Sequence, residues 1–113
     1  MSTAEIRAHW SRVAALGCIV SGRSSPTLHH VHGGSVKHLV HKGMGQKVSD
    51  WLVIPLAAEY HTGAHGIDLG CYTVEQWERL FDAQAEHLDE VCRALGVNVW
   101  QKAGIEREVA CFS

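Results

Sequence analysis

The chain has no apolar run approaching the roughly 20 residues that a membrane-spanning helix needs, which excludes such a segment. Its cysteines, Cys18, Cys71, Cys92 and Cys111, are scattered with no Cys-x-x-Cys among them. The N-terminus has no basic-then-apolar export signal. The expectation is therefore reduced, mostly buried thiols in a cytoplasmic protein. There is no internal repeat and no low-complexity tract. Asparagine occurs once, at Asn98, and no helix clusters Arg, Asn and Gln in the way that reads base edges. Acidic residues are missing from Gly22 to Ser49, where Arg23, Lys37, Lys42 and Lys47 stand alone. Bases are nearly missing from Thr73 to Glu90, where Arg79 faces Glu75, Glu78, Asp82, Glu86, Asp89 and Glu90. A net charge of −2 argues weakly against strong nucleic-acid binding. The segregation of charge nevertheless lets the middle of the chain face phosphates while the later acidic segment faces away.

What is present in excess is histidine. The chain of 113 residues, long enough for one domain spanning 1–113, carries nine. Seven of them lie from His29 to His65. Five of these seven stand in Thr27-Leu28-His29-His30-Val31-His32, answered thirty residues later by His61-Thr62-Gly63-Ala64-His65. Local density of this kind is what metal chemistry requires, because neutral imidazole suits transition ions such as zinc. His61 and His65 are spaced i, i+4, which on a helical turn puts both on one face, able to share an ion. His29 and His30 are neighbours on a β-prone run, so a regular strand points them to opposite faces and different tasks. One can ligate while the other works beside the ion as a base. His32 shares a face with His30 and is its natural rival or partner. The roles of His38 and His41 are open.

The remaining pattern is α+β. Ser2-Thr3-Ala4-Glu5 fits a capping box opening a helix through Ile6, Trp10 and Val13, with Gly17 as its stop. We read this helix as a structural cover. Cys18–Val20 is β-prone. Trp51–Leu56 reads as a buried strand with Pro55 near its end, and a short helix can begin near Ala57. A second capping box at Thr73–Gln76 opens a long amphipathic helix through Trp77, Phe81, Leu88 and Leu95, which Gly96 ends. Val97–Trp100 is β-prone. The expectation is a small two-strand-and-helix metal core over about 27–68. It is flanked by an N-terminal helix and a long C-terminal amphipathic helix.

Several pieces, in order, carry a family resemblance. They are His9-Trp10 through Val13-Ala14-Ala15-Leu16-Gly17-Cys18-Ile19-Val20, Leu28-His29-His30-Val31, Gly43-Met44-Gly45-Gln46-Lys47, Val53-Ile54-Pro55-Leu56, His61-Thr62-Gly63, Gly66-Ile67 and Trp77-Glu78. The run from about His9 to Glu90 resembles the phage recombination-enhancement (Ref) nucleases, members of the HNH or ββα-metal superfamily. The resemblance implies an HNH-like core and metal-dependent cleavage of DNA by a phage or prophage protein, in the host cytoplasm. The ion it implies is zinc, magnesium or manganese. It implies that His29 is a metal ligand and His30 the general base, with His61 and His65 completing the metal site; Asp68 is the alternative to His65. It also implies action alongside RecA filaments. The chain departs from the family where a Cys-x-x-Cys is common, reading Cys18-x-x-Ser21, and has Ala57 where a cysteine precedes the final histidines. No thiolate-held structural zinc is therefore expected. It also lacks the motif's middle Asn, so the orienting task falls to Asp50, Gln46 or Ser49, of which Asp50 is favoured. Arg23, Lys37, Lys42 and Lys47 are the candidates for neutralising DNA phosphates.

Overall fold

The computed structural model describes residues 2–40 and 48–112. The expectations for His41, Lys42, the Gly43–Lys47 motif and Gln46 lie outside the described residues. At the centre is a two-stranded antiparallel sheet of β1 (Thr27–His30) and β2 (Val53–Leu56), pairing His29 with Ile54 and His30 with Val53. Every residue of β2 is buried. Pro55 has no N–H to give, but its carbonyl accepts from Ile19 on the flank away from β1, at 2.9 Å. The β-prone Cys18–Val20 run thus adds one rung beside β2 without becoming a strand.

Helix α1 (Thr3–Ala15) forms half of the expected capping box: the Ser2 hydroxyl accepts from the Glu5 amide at 3.1 Å, and among the described residues the Glu5 side chain does not reach back. Its buried face carries Ile6, His9 and Val13. The one-turn helix α2 (Ala58–His61) follows β2 directly, after a short 3₁₀ turn at Gly34–Val36 earlier in the chain. Helix α3 (Val74–Phe81) has both halves of the capping box, Thr73 with Gln76. Helix α4 (Gln84–Leu95) ends on left-handed Gly96. Helix α5 (Val99–Lys102) begins on Asn98, whose side chain accepts from the Gln101 amide, so the β-prone Val97–Trp100 run becomes helical.

The long C-terminal helix is in fact two. Asp82 takes φ 74°, ending α3, although neither glycine nor proline marks the place. Side chains seal the break from both sides. The His87 ring of α4 donates to the Phe81 carbonyl at 2.6 Å, and the Glu78 carboxylate of α3 accepts from the Gln84 amide at 2.7 Å. Each helix caps its neighbour, because the Ala83 N-cap has no side chain for the task.

The core gathers β2 with Val13, Val31, Val36, Trp77, Leu88, Val91, Cys92, Val99 and Trp100. Two of the four cysteines, Cys71 and Cys111, are exposed rather than buried. Among the described residues no helix is long and apolar enough to cross a membrane. The acidic face of the C-terminal segment is also thinner than its sequence suggests. Asp89 is only 4 % exposed and accepts from the Trp100 indole at 2.9 Å and from Arg107 at 2.8 and 3.0 Å. Asp89→Ala is expected to destabilise the fold by about 3 kcal/mol in chemical denaturation, because it strands a half-buried guanidinium and a buried indole N–H.

Candidate metal centre

Thr27 and His29 lie on one face of β1, and α2 brings His61 against them. The chain then folds back on α2: His65 N donates to Glu59 O, Ile67 N to Tyr60 O and Asp68 N to His61 O, at 2.9 to 3.1 Å. The last of these bonds holds Asp68 beside His61. Gly66 makes the return possible, since a Cβ there would stand 2.6 Å from the His61 carbonyl oxygen. As a result, one ligand atom each from His29, His61 and Asp68 lies within 4.8 Å of the others.

His65, named from the i, i+4 spacing, is not in this group. Helix α2 ends at His61, so the helical face that would join the two never forms. The His65 ring is instead stacked between Tyr60 and Tyr72, with its Nδ1 3.2 Å from the Tyr72 hydroxyl. Asp68, the alternative to it, takes the third position.

The Gln84 side chain is oriented by backbone: its Nε2 donates to His32 O at 2.8 Å, and its Oε1 accepts from His32 N at 3.1 Å. That Oε1 also lies 3.0 Å from His29 Nε2, so His29 carries its proton on Nε2. The Thr27 hydroxyl donates to Leu56 O at 2.9 Å, so it accepts from His61 Nδ1 at 2.7 Å. Both neutral rings therefore present bare lone pairs to the same oxygen. His29 Nδ1 is 3.3 Å and His61 Nε2 2.9 Å from Asp68 Oδ2. Three acceptors face one another with no proton between them.

Either an added proton on His29 Nδ1, which would donate to Asp68, or a cation taking all three lone pairs resolves this. Burial and then the charge of His29 lower the pKa of His61, which resists protonation. Burial pushes the Asp68 carboxyl up, but hydrogen bonds from His29 and His32 and their charges outweigh it and hold it far below the usual carboxylate range. With both rings in their neutral tautomers, the group offers two imidazoles and a carboxylate. This donor set suits zinc or a neighbouring transition ion and leaves a coordination position open. A tetrahedral ion with bonds of about 2.0 to 2.1 Å sets its ligand atoms about 3.3 Å apart, which the two contacts to Asp68 approach. His29, His61 and Asp68 could hold a metal ion, and each already has an orienting partner: Gln84, Thr27 and, on Asp68 Oδ1 at 2.8 Å, His32.

His32 is thus no partner of His30. Strand β1 stops at His30, the alternation lapses, and His32 turns toward Asp68 with its ring 5.3 Å from that of His29. His30 points away, as alternation predicts, and meets Asp50, Nε2 to Oδ1 at 2.9 Å. Since the carboxylate accepts, His30 carries its proton on Nε2 and keeps a lone pair on Nδ1.

Of the phosphate candidates, Arg23 is exposed but lies 3.6 Å from Glu59, and Lys37 is exposed at the end of the 3₁₀ turn. Lys42 and Lys47 are outside the described residues. Sequence reasoning missed Gln84, Thr27 and Glu78. Gln84 left a trace, being a polar residue on the stripe of Trp77, Phe81 and Leu88.

Acid should destabilise the metal-free protein in two stages. His61 and the core residue His9 both have pKa values below their ordinary 6.5, His9 chiefly through burial. The unfolded chain then binds protons more readily, so stability is full above pH 6.5 and falls as pH drops through the folded values. Asp68, depressed below 3.8, adds a further loss in stronger acid. Urea midpoints measured from pH 7.5 to 2 check both stages, and a midpoint rising toward acid would contradict them.

No family model, no curated protein and no solved structure matches the chain.

Proposed function

We propose that the chain is a metal-dependent DNA endonuclease of the HNH type, from a phage or prophage, as its resemblance to the Ref nucleases implies. The observation that carries the reading is the pairing of two assemblies on adjacent residues of β1. His29 enters an acceptor group fitted to a divalent ion, while His30, on the other face, is held by Asp50 in the tautomer of a base. The order β1, β2, α2, with His29 on the first strand and His61 closing the helix, also agrees with it.

A divalent ion held there would supply positive charge to the scissile phosphate and the leaving oxygen. His30 Nδ1 takes the proton of the attacking water. Asp50 fixes which nitrogen is free and stabilises the imidazolium that results, the service the missing Asn would otherwise give. Gln84, Thr27 and His32 keep the ligating atoms aimed inward. DNA is the proposed substrate, with Lys37, Lys42, Lys47 and Arg23 on its phosphates; action at RecA filaments belongs to the same proposal.

The missing Asn and the absent Cys-x-x-Cys favour a second reading, a metal-stabilised nucleic-acid or protein binding module that does not cut. One assay separates them: nicking of supercoiled DNA by metal-free protein resupplied with magnesium, manganese or zinc, with His30→Ala alongside. Metal-dependent nicking lost in the variant supports the nuclease. Intact DNA under every ion supports the module.

A further inference from the structure

The N-terminal helix reads as a cover, yet two adjacent side chains on it hold the segment that carries Asp50. Trp10 Nε1 donates to the Asp50 carbonyl at 2.8 Å. His9 Nε2 donates to the next carbonyl, Trp51, at 3.2 Å. The Trp10 ring also stands edge-on to His30, centroids 6.0 Å apart, and His9 packs on the Trp51 ring at 4.8 Å. Successive helix residues diverge by about 100°, so gripping two consecutive carbonyls fixes both the height and the rotation of that short segment.

We infer that His9 and Trp10 are positioning residues of the proposed nuclease, clamping the Asp50–Trp51 backbone so that the Asp50 carboxylate meets His30 Nε2. The inference rests on the functional reading above. Asp50 is not in a strand or helix, and the contacts from α1 take the place of regular structure in locating it. His9 supplies the independent sign. It is fully buried, and its Nδ1 has no hydrogen-bond partner among the described residues. A buried unpaired nitrogen lowers stability, so an apolar ring of similar size would serve the core better. What the histidine adds over such a ring is its bond to the Trp51 carbonyl.

Trp10→Phe keeps a ring and deletes the donor; His9→Phe deletes both the donor and the orphaned nitrogen. Each is expected to lower kcat for DNA nicking about ten- to hundredfold, the range that a small misplacement near the chemistry produces. KM for DNA and zinc affinity should stay within about twofold of the parent, and the melting temperature of His9→Phe should change little, since the relief of the orphaned Nδ1 offsets the Trp51 carbonyl left without its donor. A kcat within twofold of the parent in both variants overturns the clamp. So does a kcat loss matched by equal losses of zinc affinity and melting temperature. Where the parent itself cuts no DNA, the nuclease reading fails, and the clamp is read from the His30 Nε2–H resonance by proton–nitrogen correlation. The clamp predicts that this resonance is protected from exchange in the parent and lost in Trp10→Phe; a resonance unchanged by the substitution overturns it.

Discussion

His30→Ala is expected to cut DNA nicking by about two to four orders of magnitude, the range a positioned general base supplies, while the divalent ion still binds. The separation follows from the strand. His30 and His29 are consecutive, but the pleat sends one to Asp50 and the other to Asp68. Removing the His30 ring therefore leaves His29, His61, Asp68 and their partners in place. His30 is also only half-buried, with a side-chain exposure of 39 %, so its loss opens little core. Plasmid nicking rates together with calorimetric zinc titration check both halves. Parent-like nicking by the variant would remove His30 from the mechanism, and loss of the ion would show that the two assemblies are not separate.

His29→Ala should do the reverse and strike the metal first. His29 is 1 % exposed and joins β1 to both Asp68 and Gln84. Its removal deletes one of three ligands and leaves Gln84 Oε1 with only the His32 amide. The affinity for zinc should fall by more than the roughly ten- to hundredfold that loss of an outer partner costs. Because an ion that binds only the folded chain stabilises it by mass action, the parent should melt at a lower temperature after chelation. His29→Ala should melt alike with and without chelator. A chelator-insensitive parent would mean that no structurally linked ion is held.

The site was legible to the extent that its chemistry is local. Strand alternation separated His29 from His30, because period two is a property of the backbone itself; Asp50 was favoured only as the stand-in for the motif's missing Asn, and it does lie 2.9 Å from His30. Histidine density marked His29 and His61. What spacing could not supply was where α2 stops. His61 and His65 share a face only if the helix continues, and the return through Gly63 and Gly66 puts Asp68 beside His61 instead. The same limit explains the single long helix expected over Thr73–Leu95. Periodicity runs through Asp82 uninterrupted, and the break is sealed by His87 and Glu78, one on each side of it. Asp89 reads as one more surface acid until Arg107, eighteen positions later, is known to lie against it. Helix α1 was placed correctly by its cap and its glycine, but nothing in its period reveals that Trp10 and His9 reach carbonyls some forty residues away.

The most direct test is the metal content of the purified protein, read with the X-ray absorption edge and fine structure of the bound ion. The account predicts a single divalent ion per chain, with imidazole nitrogen and carboxylate oxygen as its protein ligands and no sulfur, and its loss in His29→Ala. A chain that holds no ion, or an identical spectrum in His29→Ala, would contradict it.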